Sequence, residues 1–105
     1  MINSDRHERV NKIVTDILKR YKILPLSILL FYIHHKCDIF YTPKSFKQEF
    51  KNYQITSGER FTNEKTKCLN DFINDLESDF INAYKNNITN ITAPNFISLK
   101  DIDEK

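Results

Sequence analysis

The stretch "NAYKNNITNITAPNFISL", Asn82–Leu99, decides the fold. It reads as a disordered polar tail, as a pair of glycosylation sequons, or as the two strands and loop of a β-hairpin. The sequons Asn87-Ile88-Thr89 and Asn90-Ile91-Thr92 matter only in a secreted chain. Cys37 and Cys68, with no signal peptide, point instead to free thiols in a reducing cytoplasm. Asn86, Asn87 and Asn90 are turn formers, and "ITAPNFISL" is rich in β-favouring residues. The expectation is therefore a helix ending between Asp79 and Asn82, then a hairpin turning at about 86–90 within Ile81–Leu99. Leu76, Phe80 and Tyr84, spaced by four, argue the other way and would extend the helix. Without the hairpin the chain is an all-α helical bundle.

Upstream the periodicity is clearer. Thr62 or Asn63 caps a fourth helix whose buried stripe is Leu69, Phe72, Ile73, Leu76 and Phe80. Asn63, Lys67, Asn70, Asp71, Asn74 and Asp75 lie outward. "ITSGERFTN" before it is a loop holding Gly58, the chain's one glycine. Thr42 and Pro43 open a third helix as cap and first residue. Its inward stripe is Phe46, Phe50 and Tyr53, while Lys44, Lys47 and Lys51 fall within roughly 60° of one another opposite. "DIFYTP", Asp38–Pro43, reads as a brief strand. Pro25 suits the first turn of a second helix, Leu26 to about His35, apolar almost all round and hence central. The first helix starts at Asp5 with Glu8 three residues on and ends near Leu24. Val10, Ile13, Val14, Ile17, Leu18 and Tyr21 form its stripe. "KDIDEK", 100–105, reads as a frayed end.

At 105 residues the chain reads as a single domain, 1–105. Its 40% hydrophobic and 29% charged content is ordinary for a globular protein. The apolar run "ILPLSILLFYI" has 11 residues where a spanning helix needs about 20, which argues against a membrane. One glycine excludes a phosphate-cradling loop, and no Ser or Cys sits in a nucleophile elbow. The carboxylate pair Asp71 and Asp75 lies on a solvent face, so an enzyme is not expected. His34, His35, Cys37 and Cys68 are the nearest thing to a metal set. Adjacent helical histidines point about 100° apart, so neither a metal nor another cofactor is expected.

The order of elements resembles the winged helix-turn-helix superfamily of DNA-binding domains. "PLSILLFYIHHK" matches its first helix, "IFYT" the edge strand and "PKSFKQEF" the second helix. "NEKTKCLNDFINDLESDFI" matches the recognition helix running into the wing. The likeness covers Pro25–Leu99 and implies a mainly α fold: four helices with a small C-terminal β-hairpin. It also implies a homodimer through the terminal helix, 5–24, whose stripe is wide enough for its own domain and a twin.

The net charge of +2 does not itself imply nucleic acid, so the distribution must carry that argument. Tyr41–Lys67 holds six cations and three glutamates, a balance of +3, whereas Cys68–Tyr84 holds four carboxylates and no cation. A recognition helix positive at its start and negative at its end suits groove entry. Lys44, Lys47, Lys51, Arg60, Lys65, Lys67 and, in the wing, Lys85 are the expected phosphate contacts. Asn63, Asn70 and Asn74, with Lys67, would face bases in double-stranded DNA. The role expected is a transcription regulator or DNA-processing accessory of a plasmid or phage. The alternative is a helical protein–protein module, an immunity, anti-defence or inhibitor protein docking one partner through Tyr32, Tyr41 and Tyr84.

Overall fold

The computed structural model describes residues 4–57, 60–89 and 95–100. Among them the fold is mainly helical, with five helices and one small antiparallel sheet. Helix α1, Ser4–Tyr21, follows the amphipathic pattern, and Val10, Val14, Ile17, Leu18 and Tyr21 are all buried. Lys22 closes it in the left-handed region at φ 77°, where its N–H donates to the Leu18 carbonyl at 2.9 Å. That geometry satisfies a terminal carbonyl that would otherwise be orphaned.

The apolar run after it divides. Ile23–Pro25 forms strand β1, and Leu26–Cys37 forms helix α2, buried at Leu26, Ile28, Leu29, Leu30 and Ile33. No helix among the described residues is long and apolar enough to cross a membrane. Asp38 ends α2 in the left-handed region, φ 58°, with its N–H on the His34 carbonyl. Helix α3, Pro43–Glu49, then begins on the expected residues: Thr42 is the cap and Pro43 the first position.

Strand β2, Tyr53–Thr56, comes next, followed by helix α4, Asn63–Asn74, capped by Thr62. Helix α5, Ser78–Thr89, and strand β3, Phe96–Leu99, complete the order. The sheet runs β1-β3-β2, with β3 antiparallel to both neighbours. Leu24 faces Ile97 across one ladder and Ile55 faces Ile97 across the other. Leu24 and Ile97 are fully buried, so the sheet's centre is part of the core. Pro25, which has no N–H to give, sits on the edge strand, where its loss costs no ladder bond.

Three expectations are corrected. "IFYT" is not a strand: residues 38–42 are a linker, because Asp38 turns the chain and Thr42 is committed to capping α3. The loop expected at "ITSGERFTN" begins inside β2, where Tyr53 is buried and Ile55 half-buried, the short alternation of an edge strand. The hairpin at 86–90 is replaced by α5, and the helix expected to run on past Asn74 breaks at Asp75–Glu77. Helix α5 is kinked at Tyr84, whose φ of −118° and ψ of 19° are not helical; Phe80 before the kink is buried, Tyr84 stacks on Phe31 at 4.8 Å, and Ile88 beyond it packs against the core. Phe96–Leu99 is a strand, but its partners are β1 and β2. The expected turn residue Asn90 and the stretch 91–94 lie outside the described residues.

The stripe of α1 packs within the same chain, against α2, α4 and the sheet.

Candidate nucleic-acid interface

The lysine face begins with how α3 is held. The Thr42 hydroxyl accepts from the Ser45 N–H at 3.1 Å, and the Ser45 hydroxyl accepts from the Thr42 N–H at 3.0 Å. This reciprocal cap satisfies two helix-end donors. Phe46 and Phe50 stack at 4.7 Å in the core. They meet Tyr41 edge-on, each at 5.7 Å. The His7 ring lies flat on Phe50 at 4.4 Å.

Glu49, the one carboxylate of α3, is turned inward and occupied. Its Oε2 accepts from His7 Nδ1 and from the Tyr41 hydroxyl, both at 3.0 Å, and Arg6 lies 3.7 Å from Oε1. Burial first, and then donation to Glu49, pushes the Tyr41 hydroxyl from 10.0 up to about 12. With Glu49 withdrawn, α3 exposes Lys44, Lys47 and Gln48, whereas Lys51 and Tyr53, expected on the same helix, lie past its end, Lys51 exposed after the extended Phe50 and Tyr53 in β2. The three lysines make no ion pair among the described residues.

The other expected contacts do not join them. Helix α4 is held at the far end of α1, where the Tyr21 hydroxyl donates to Asp75 Oδ2 at 2.5 Å and Arg20 lies 3.9 Å away. Glu49 meets α1 at residues 6 and 7, Asp75 at 20 and 21. At 1.5 Å per residue the two anchors are about 21 Å apart along the helix. Lys67 is exposed but spends its charge on Asp71 at 3.0 Å, which holds the ammonium above its ordinary value. Lys65 is half-buried, its Nζ 4.5 Å from the centre of the Phe96 ring and 3.5 Å from the Arg60 carbonyl. Arg60, Asn63, Asn70 and Asn74 are exposed on or just before α4. Lys85 is exposed on α5, which packs on α2. The structure thus sets Lys44 and Lys47 on α3, with Lys51 two residues past its end, and carries the asparagines on α4.

Tyr41, expected at a protein interface, is only 6% exposed and belongs to the core. The exposed aromatic is Phe40, at 71%. It borders a cleft of about 170 Å³ between α2 and the 38–42 linker. The strand reading of "IFYT" hid Phe40, because it implied pairing rather than a linker. Glu49 was missed for a related reason: periodicity places it beside the lysines, and only the contact with α1 turns it in. No family model, no curated protein and no solved structure matches the chain.

Proposed function

We propose that this protein binds nucleic acid, duplex DNA in the first place, through the outer face of α3. The observation that supports it is an α3 face with exposed Lys44 and Lys47, followed just past the helix by exposed Lys51, and with no free carboxylate, because the one glutamate is consumed by His7, Tyr41 and Arg6. Unneutralised cations at helical spacing suit a phosphate backbone, and binding would be driven by counterion release.

The winged-helix resemblance supports the same reading as an analogy of fold. Its sequence of helix, edge strand and two helices is met by α1, β1, α2 and α3, one helix earlier than the spacing suggested. On that correspondence α3 takes the recognition role and α4 and α5 fill the place of the wing. The role is that of a regulator or DNA-processing accessory of a mobile element. Two free thiols accord with a cytoplasmic setting.

The test is a salt titration of binding to a 20-base-pair duplex. The variant Lys44→Ala/Lys47→Ala/Lys51→Ala should lower the slope of log K against log salt by about 3, roughly one unit per phosphate contact. The control Lys67→Ala/Asn70→Ala/Asn74→Ala should leave it unchanged. Equal binding by wild type and the lysine variant would refute the face. A protein-docking role draws on exposed Phe40 instead, and a nuclease-resistant stoichiometric partner in a pull-down would favour it.

A further inference from the structure

We infer that the cleft beside Phe40 accepts a single unpaired base, so that the preferred substrate is a duplex interrupted by an extrahelical or single-stranded nucleotide. This rests on the lysine reading above and adds the substrate class.

Exposing a phenylalanine at 71% is costly for a small protein when the core can take such side chains. Seven of the eight phenylalanines are buried or half-buried; Phe40 is the exception. Its ring is also fixed in place. His34 meets it nearly perpendicularly at 5.8 Å, and the linker is anchored on both sides by Asp38 capping α2 and Thr42 capping α3.

The cleft it borders is walled by Leu30, Phe31 and Pro43, with Ser27 and Thr42 also lining it. Phe31 is half-buried and backed by Tyr84. A volume near 170 Å³ is below the roughly 300–1,000 Å³ of sites that enclose a drug-sized molecule, and suits one planar group. Two phenyl rings provide stacking surface, and a hydroxyl can meet a base edge.

Charge selects the occupant. Pro43, a wall of the cleft, is followed directly by Lys44, with Lys47 one turn on. An apolar slot whose Pro43 wall opens the lysine-bearing helix α3 suits a nucleobase, whose ring is stacked and whose phosphate is anionic. It suits an apolar peptide side chain less well, since that would leave the lysines without a counter-charge. Stacking platforms beside a cationic track are the usual means of holding unpaired nucleotides.

The experiment compares three probes at one salt concentration: a perfect 20-base-pair duplex, the same duplex with one bulged thymine, and the bulged duplex with 5-iodouracil at the bulge for photocrosslinking. Wild type should bind the bulged probe roughly 5- to 100-fold more tightly than the perfect one, the range expected from one base–aromatic stack. It should also crosslink at Phe40. Phe40→Ala should lose that preference and keep its affinity for the perfect duplex, while Phe40→Trp should retain both. The lysine triple variant should lose affinity for every probe.

Equal affinity of wild type for bulged and perfect duplexes would overturn the base site and leave the lysine face standing. So would a preference that survives Phe40→Ala. Failure of wild type to bind any probe would remove the lysine reading and the base site together. In that case a protein becomes the occupant to seek.

Discussion

At the scale of single residues, Glu49 does most to set the character of the surface. It is the only acid in α3, and left exposed it would offset one of the two lysine charges on that helix. Three donors from two elements draw it inward instead. Tyr41 is the donor whose protonation can be followed. Its hydroxyl is raised from 10.0 to about 12 by burial and by its bond to Glu49. An unfolded tyrosine loses its proton near pH 10 while the folded one keeps it, so the stabilisation is complete below pH 10. It is then lost as pH rises from 10 to 12. Urea denaturation at stepped pH should show wild-type stability falling across that window, and Tyr41→Phe falling less. The residual fall belongs to Tyr21 and Tyr53, both also raised, chiefly by burial. Below pH 10 the variant should be weaker by about 1 kcal/mol, the loss of one hydrogen bond to a charged group. Identical pH slopes would mean that Tyr41 is not held protonated in the fold.

At the scale of elements, α3 is seven residues long, too short to stand alone in water. Its cap and its two phenylalanines must supply what propensity cannot. Thr42→Ala removes the acceptor for the Ser45 N–H and should cost about 1 kcal/mol, read from the denaturation midpoint. A cost near zero would show the cap to be dispensable. These local features were legible: Thr42-Pro43 states a helix start, and Phe46/Phe50 state its inner face. Of the strands, β3 was legible in "ITAPNFISL" but not its partners, and β1 and β2 were not legible. Each has three or four residues, too few for a period to emerge, and β3 pairs Ser98 with Ile23, a partner remote in the chain. Asn86 and Asn87 carried a turn signal that packing overrode, because Phe80, Tyr84 and Ile88 had α2 to lie on. Lys44 and Lys47 were legible as neighbours because one short helix carries both, whereas Lys51 was read onto a helix that ends before it. Their placing relative to the asparagines was not legible, since that depends on where each helix meets α1.

At the scale of the molecule, α1 determines those positions. Arg6 and His7 hold α3 through Glu49. Asn11 and Thr15 hold β2, with the Tyr53 hydroxyl donating to Asn11 Oδ1 at 2.6 Å and lying 3.0 Å from Thr15 Oγ1. Arg20 and Tyr21 hold the end of α4 through Asp75. Between these ties Val10, Val14 and Leu18 are buried against the rest of the core. A helix tied to α2, α3, α4 and the sheet in this way couples their unfolding, and domains of this size generally melt in one step. Leu18→Ala should therefore cost about 2–5 kcal/mol, the range for a buried leucine truncated to leave a cavity. The loss should be felt by α3 and α4 alike. The check is a thermal melt followed in two signals, far-ultraviolet dichroism for the helices and near-ultraviolet dichroism for the packed tyrosines. Both should shift down by the same interval and remain superimposable. If Leu18→Ala instead separated them, with helical signal persisting after tyrosine packing is lost, α4 and α5 would fold on α2 without α1. The roughly 21 Å between the Glu49 and Asp75 anchor points along α1 would then not be what positions α4.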